Sequence, residues 1–155
     1  TKQLLQTPTN TVLAACRDPS KAGALNALSA SAGGRLHVVG LDVTDTQSIK
    51  DAAREAAKIL GDKGIDYLIN NAGINPGGLD AAYAFDESNF TTTFRTNVVG
   101  PAVVAATLLP LVEKGSKKTI VNVSSTVGSI SGVAGWSFGK MCVSYAASKA
   151  ALNML

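Results

Sequence analysis

The stretch IDYLINNAG, residues 65–73, is a short apolar run that ends in two carboxamides, an alanine and a glycine. Ile65, Tyr67, Leu68 and Ile69 are β-branched, aromatic or aliphatic, and such residues suit a strand. Gly73 permits a turn and a close approach to the backbone. TVLAAC (11–16), RLHVVGLDV (35–43) and KKTIVNVSS (117–125) read the same way. Strands this uniformly apolar are expected to be buried on both faces, as in parallel sheets.

Longer segments of helical period separate these runs. RDPSKAGALNALSAS begins a helix after Pro19. In TDTQSIKDAAREAAKILGDKG, Thr44 and Gln47 fit a capping box, and Ile49, Ala52, Ala53, Ala56 and Leu60 share one face. ESNFTTTFRTNVVGPAVVAATLLPLVEKG is a long helical stretch, and residues 143–155 form a last helix. Strands separated by helices require crossover connections and a parallel sheet. The expected fold is therefore α/β, a doubly wound parallel sheet in a single domain. NPGGLDAAYAFD (75–86) reads as a loop. Residues 126–144, rich in Gly and Ser yet carrying bulky side chains, read as a substrate loop.

Composition narrows the function. Of 155 residues, 46% are hydrophobic and 16% charged, which argues against disorder. The net charge of +3 is scattered, apart from Lys117-Lys118, and forms no basic stripe with interleaved aromatics. No nucleic-acid partner is expected. Cys16 and Cys142 lack metal-ligand spacing; a disulfide is one reading and free thiols in a reducing compartment the plainer one, so the expected location is cytoplasmic. The start TKQLLQTPTN is polar and no run of eighteen apolar residues occurs, so no signal peptide and no membrane span are expected. His37, the one histidine, sits in the strand LHVVG and reads as structural. That argues against a histidine-based triad.

In open α/β sheets a ligand lies beyond the carboxyl ends of the strands. The residues there are Cys16-Arg17, Asp42-Val43, Asn70 to Gly73, and Ser124-Ser125. The last helix adds Tyr145 and Lys149, four apart and hence on one face. A free tyrosine ionises near pH 10, at about 10. A nearby ammonium favours the phenolate, so the pair suits acid/base chemistry near neutral pH. The competing reading is a surface YxxxK without function. Asn97 lies inside a helix, where asparagine is disfavoured, and Pro101 four residues later has no N–H to offer its carbonyl. That carbonyl is free to hold a water near a buried site. The plainer alternative is a helix kink.

LDVTD (41–45), NNAG (70–73), the asparagine of RTNVVGP (95–101), IVNVSSTVG (120–128) and YAASK (145–149) occur in one order along the chain. In this the chain resembles the short-chain dehydrogenases/reductases of the Rossmann type. SSTVGSISG and YAASKAALNM look most like the carbonyl-reductase branch that includes the Sniffer and C-factor proteins. The resemblance implies an oxidoreductase that interconverts a carbonyl and an alcohol with NADP(H). Tyr145 would exchange a proton with the substrate oxygen. Lys149 would favour the phenolate and bind the nicotinamide ribose. Ser125, followed by Thr126, Val127 and Gly128, would hold the carbonyl oxygen, and Asn97 would bind a water that connects Lys149 to solvent. Asp42 and Val43 would flank the adenine, and Asn71, Ala72 and Gly73 would back the adenosine and ribose. Cys16 stands where NAD-preferring members carry aspartate, and Arg17 follows, which favours NADP over NAD. Asp18 next door blurs that preference, and a solvent-facing Arg17 is the alternative.

The family also has a strand and a glycine-rich turn ahead of TVLAAC, and further strands and a substrate lid after the Tyr-Lys helix. The expectation is a partial Rossmann domain from a protein about a hundred residues longer, paired as a homodimer or homotetramer when whole. The interval from Ser125 to Tyr145 is longer than in many members, and Trp136, Phe138, Met141 and Cys142 fill it, either lining the substrate entrance or packing as core. Two rivals stand beside the enzyme: a non-catalytic nucleotide-binding or scaffold protein of the same fold, and a sugar-nucleotide epimerase or dehydratase. NNAG with the helical asparagine argues against the second.

Overall fold

The computed structural model describes residues 1–133, 135 and 142–155. Trp136, Phe138 and Met141, and with them most of the expected substrate entrance, lie outside the described residues. The chain divides into two compact units, Thr1–Asp62 and Lys63–Leu155.

The first unit is one βαβ motif followed by a helix. Strand β1 (Val12–Cys16) pairs in parallel with β2 (Leu36–Gly40), in a register that sets Val12 opposite Leu36 and Cys16 opposite Gly40. A 3-10 turn (Pro19–Lys21) and helix α1 (Gly23–Ser31) make the crossover. Ala14, Ala32 and Leu36 form a buried cluster, with Leu5, Val12, Leu25 and Leu28 packed on it. Arg35 fastens the leading segment by donating to the carbonyls of Leu5, Thr7 and Asn10.

Helix α2 (Thr46–Leu60) buries Ile49, Ala52 and Ala56 on the expected face and packs on β2. Its cap differs from the sequence expectation. Asp45, not Thr44, accepts the Gln47 N–H, at 2.8 Å. Thr44 is drawn to Asp42 instead: its N–H and hydroxyl donate to Asp42 Oδ1 at 2.8 and 2.7 Å. The helix begins at Thr46 with Asp45 in the capping position, so Thr44 stands one residue too early for a capping box.

The second unit is again a βαβ motif, with a long crossover. Strand β3 (Tyr67–Asn70) pairs in parallel with β4 (Thr119–Asn122). Between them runs one helix, Glu87–Lys114, built from α3 (Glu87–Phe94), a π-helical turn (Arg95–Val99) and α4 (Gly100–Lys114). The π turn falls where Pro101 removes a donor, and the Gly100 N–H reaches back to the Arg95 carbonyl. By length and composition this helix is able to cross a membrane, with a mean hydropathy of 1.4 over its most apolar window. Here 44% of that window is buried, and the helix packs against β3, β4 and the last helix. After β4 come a 3-10 turn (Thr126–Gly128), helix α5 (Ile130–Val133) and helix α6 (Val143–Leu152).

The strands of this unit are not buried on both faces. Tyr67 and Ile69 are exposed, while Leu68 and Asn70, on the opposite face, are half-buried and buried. Ile120 and Val121 of β4 are exposed as well. A two-stranded sheet with helix α4 against it has cover for only part of its surface, whatever its composition.

Two glycines let the connections cross. A side chain on Gly64 would collide with the backbone of Lys114 and Gly115, and one on Gly115 with the Ile65 carbonyl. Beside the crossing, Asp66 accepts from the Ser116 N–H and hydroxyl, both at 2.7 Å, which joins the approach to β3 with the approach to β4. Those bonds, the Ser116 hydroxyl foremost, hold the Asp66 carboxyl below its usual range. Gly64→Ala is expected to destabilise the intact protein by at least about 1–3 kcal/mol through overpacking. Gly23→Ala, where an added Cβ meets nothing within 4 Å, is expected to be neutral or slightly stabilising. Denaturant unfolding midpoints check both, and an unchanged midpoint for Gly64→Ala would contradict the crossing.

Candidate active site

Helix α6 presents Tyr145 and Lys149 on one face. The Lys149 ammonium lies 5.6 Å from the centre of the Tyr145 ring. Lys149 is only 3% exposed, and its Nζ donates to the Val123 carbonyl at 2.7 Å, just beyond the end of β4. Burial pushes the Lys149 pKa down from the ordinary lysine value. Both side chains line a cleft of about 300 Å³ together with Asn71 and Gly73. Its remaining wall comes from Ile74, Asn75, Val123 and Ser124.

Gly73 leaves room in this cleft. A Cβ there would stand 3.5 Å from both Asn97 Oδ1 and Lys149 Nζ and fill the space beside the ammonium. Ala72 sits in the same turn, exposed.

Asn97 joins the parts of the site, but through its side chain. Its Nδ2 donates to the Ile74 carbonyl at 2.9 Å and to Ser148 Oγ at 3.0 Å. Its Oδ1 accepts the Ile74 N–H at 2.9 Å. Ser148 in turn donates to the Tyr145 carbonyl at 2.7 Å. Asn97 and Ser148 are both fully buried. The π turn sets Asn97 where one carboxamide grips the residue after Gly73 and the helix of Tyr145 at once. Sequence reading directed attention to the Asn97 carbonyl and did not single out Ser148. A serine beside a lysine inside a helix carries no signal until its partner, far along the chain, is known.

The two serines after β4 divide their tasks. Ser124 lines the cleft, and its hydroxyl donates to the Lys149 carbonyl at 3.3 Å. Ser125 caps the following 3-10 turn, accepting the Val127 N–H at 3.4 Å. That turn brings Gly128 against α6, where a Cβ would lie 2.8 Å from the Lys149 carbonyl carbon.

Arg17, Asp42 and Val43 belong to the first unit. Arg17 is exposed just past β1, and Asp42 and Val43 follow β2, the adjacent strand. Thr44's hydrogen bonds, with a smaller contribution from the positive charge of Arg17, hold the Asp42 carboxyl below its usual range. Asp18 is engaged locally. It accepts from the Ser20 N–H at 3.0 Å and pairs with Lys21 at 3.0 Å. Neither Cys16 nor Cys142 is in a disulfide among the described residues. Among the described residues no group of three or more His, Cys, Asp or Glu side chains is placed to hold a metal.

The family model for short chain dehydrogenases matches residues 1–155, the whole chain. A short-chain dehydrogenase/reductase of Pestalotiopsis fici is 32% identical over 99% of this chain and 59% of its own length. Among solved structures, an NADPH-bound carbonyl reductase from chicken fatty liver superposes with a TM-score of 0.89 at 34% identity, covering 99% of this chain and 61% of that one. The carbonyl reductase Sniffer of D. melanogaster gives 0.87 at 28% identity, covering 99% and 64%. The chain thus spans about three fifths of the length of these three proteins. It belongs to the short-chain dehydrogenase family, oxidoreductases with an α/β Rossmann-like fold and a general dependence on NAD(P).

Proposed function

We propose that the protein containing this chain is an NADP-dependent oxidoreductase that interconverts an aldehyde or ketone with its alcohol, with Tyr145 as acid and base. The observation that carries this reading is the buried Lys149 ammonium beside the Tyr145 ring in a cleft that the bare backbone of Gly73 helps to line. That bare backbone, with a cation next to it, suits a flat nicotinamide and its ribose. The bound dinucleotide supplies or takes the hydride.

The side chains then do the following. Tyr145 gives its phenolic proton to the substrate oxygen during reduction and takes it back during oxidation. Lys149 stabilises the phenolate left behind and donates to ribose hydroxyls. Its lowered pKa makes it a readier proton source for the phenol. Ser125 holds the carbonyl oxygen. Asn97 holds a water that supplies protons to Lys149. Asn71, Ala72 and Gly73 back the adenosine and ribose. In the first unit, Arg17 binds the 2′-phosphate, and Asp42 and Val43 meet the adenine. The capping role of Asp18 leaves Arg17 as the charge that selects at this strand end. The NADPH held by the chicken carbonyl reductase supports the same preference.

The two cysteines, neither in a disulfide among the described residues, support a reducing, cytoplasmic setting. The half-exposed apolar residues Val99 and Leu109 on the long helix support a homodimer or homotetramer. A sedimentation profile of monomer alone would contradict that assembly.

In the intact protein, Tyr145→Phe is expected to lower kcat/KM for carbonyl reduction by about 10²–10⁴-fold while NADPH binding is kept. Near-normal turnover would remove Tyr145 from the chemistry. If the wild type binds NADPH but reduces no member of a broad aldehyde, ketone and quinone panel, the scaffold reading replaces the enzyme. Arg17→Asp is expected to move the NADPH-to-NADH preference by at least about tenfold toward NADH, the scale of one hydrogen bond to a charged group. An unchanged ratio of kcat/KM values would contradict the assignment.

A further inference from the structure

Among the described residues, helix α6 draws its N-terminal cap from a distant part of the chain. Its N-cap residue, Cys142, makes no side-chain capping bond. The first N–H groups of a helix still need acceptors when buried, and Ser144 is fully buried. A residue of the 75–86 loop supplies them. The Val143 N–H donates to the Asp80 carbonyl at 3.2 Å. The Ser144 N–H is shared between Asp80 Oδ1 and Oδ2, each at 3.3 Å, and the Ser144 hydroxyl donates to Oδ2. Every one of these bonds lands on Asp80, and the next residue along the helix is Tyr145.

Two further observations mark this contact. Gly77 lies against the carboxylate, and a Cβ there would stand 3.2 Å from Asp80 Oδ2. The buried Cys142 thiol is pushed up, chiefly by burial and further by the Asp80 charge. The negative charge also sits at the helix end where the backbone dipole favours it. On the other side of Tyr145, its carbonyl is held by Ser148, which Asn97 ties to Ile74. Helix α6 is therefore fastened on both sides of Tyr145, by Asp80 at Val143 and Ser144 ahead of it and by Ser148 behind it.

We propose that Asp80 is a positioning residue for the reaction: by capping the first turn of α6 it sets where the Tyr145 phenol stands over the cleft. It touches neither substrate nor cofactor and acts through Ser144. This rests on the reading of Tyr145 as acid and base. The chemistry asked of Asp80 is hydrogen-bond acceptance, so an amide in its place keeps most of the function.

The test uses the intact protein with NADPH and the best carbonyl substrate of the wild type. Asp80→Ala is expected to lower kcat by about tenfold or more, the scale of losing a charged cap, with KM for NADPH nearly unchanged. Asp80→Asn is expected to restore most of that loss, because its Oδ1 still accepts from Ser144. If Asp80→Ala does not fold, Ser144→Ala takes its place, with a smaller fall in kcat at an unchanged melting temperature. Wild-type kcat in whichever alanine variant folds overturns the inference. So does an Asp80→Asn variant as impaired as Asp80→Ala, or a fall in kcat matched by lost NADPH affinity. If the wild type reduces no carbonyl, the functional reading fails by itself, and amide hydrogen exchange decides the inference. Faster exchange over residues 143–146 in Asp80→Ala, or in the near-isosteric Asp80→Leu where that stands in, supports the cap, and unchanged exchange overturns it.

Discussion

The candidate site depends on one buried carboxamide. Asn97 is fully enclosed and makes three hydrogen bonds, two to the backbone of Ile74 and one to Ser148. A buried amide left without partners costs about 1–3 kcal/mol for each unmet group. The turn after β3 and helix α6 therefore cannot separate without stranding several polar groups at once. Because Ser148 also holds the Tyr145 carbonyl, the constraint passes directly to the proposed acid. The π turn makes this possible by widening the helix at the place where Pro101 has already removed a donor.

Around that bracket the remaining features become intelligible. Gly73 keeps the cleft open, because the space a side chain would take adjoins both the Asn97 oxygen and the Lys149 ammonium. Lys149 is buried, yet its charge has a partner in the Val123 carbonyl. Gly128 lies against the Lys149 backbone from the side of β4, and Ser124 donates to the carbonyl of the same lysine. The helix with Tyr145 and Lys149 is thus held from the turn after β3, from the long helix and from the segment after β4. Such fixed geometry is what proton transfer between positioned groups requires.

Much of this was legible in the sequence, for physical reasons. The apolar runs announced all four strands, and the alternation with helices announced parallel pairing, as found for β1 with β2 and β3 with β4. The spacing of Tyr145 and Lys149 put them on one helical face, and Asn97 with Pro101 marked the irregular turn. Other features depend on partners distant in sequence. Asp80 meets Ser144 across 64 residues, and Asn97 meets Ser148 across 51. No local pattern encodes such pairs. The choice of Asp45 over Thr44 as a cap was hidden because it turned on the residue at which the helix starts, which both local patterns allow. The exposure of Tyr67 and Ile69 was hidden too, because apolar composition states what a strand is able to bury and not what covers it.

The most direct measurement is amide hydrogen exchange at Ile74 in the intact protein, comparing wild type with Asn97→Ala. Loss of the Asn97 Oδ1 acceptor is expected to accelerate Ile74 exchange by about tenfold or more, since one hydrogen bond of about 1–1.5 kcal/mol holds that N–H. Exchange at Ile74 unchanged by the substitution would mean that the turn after β3 and the Tyr145 helix are held by something other than this carboxamide.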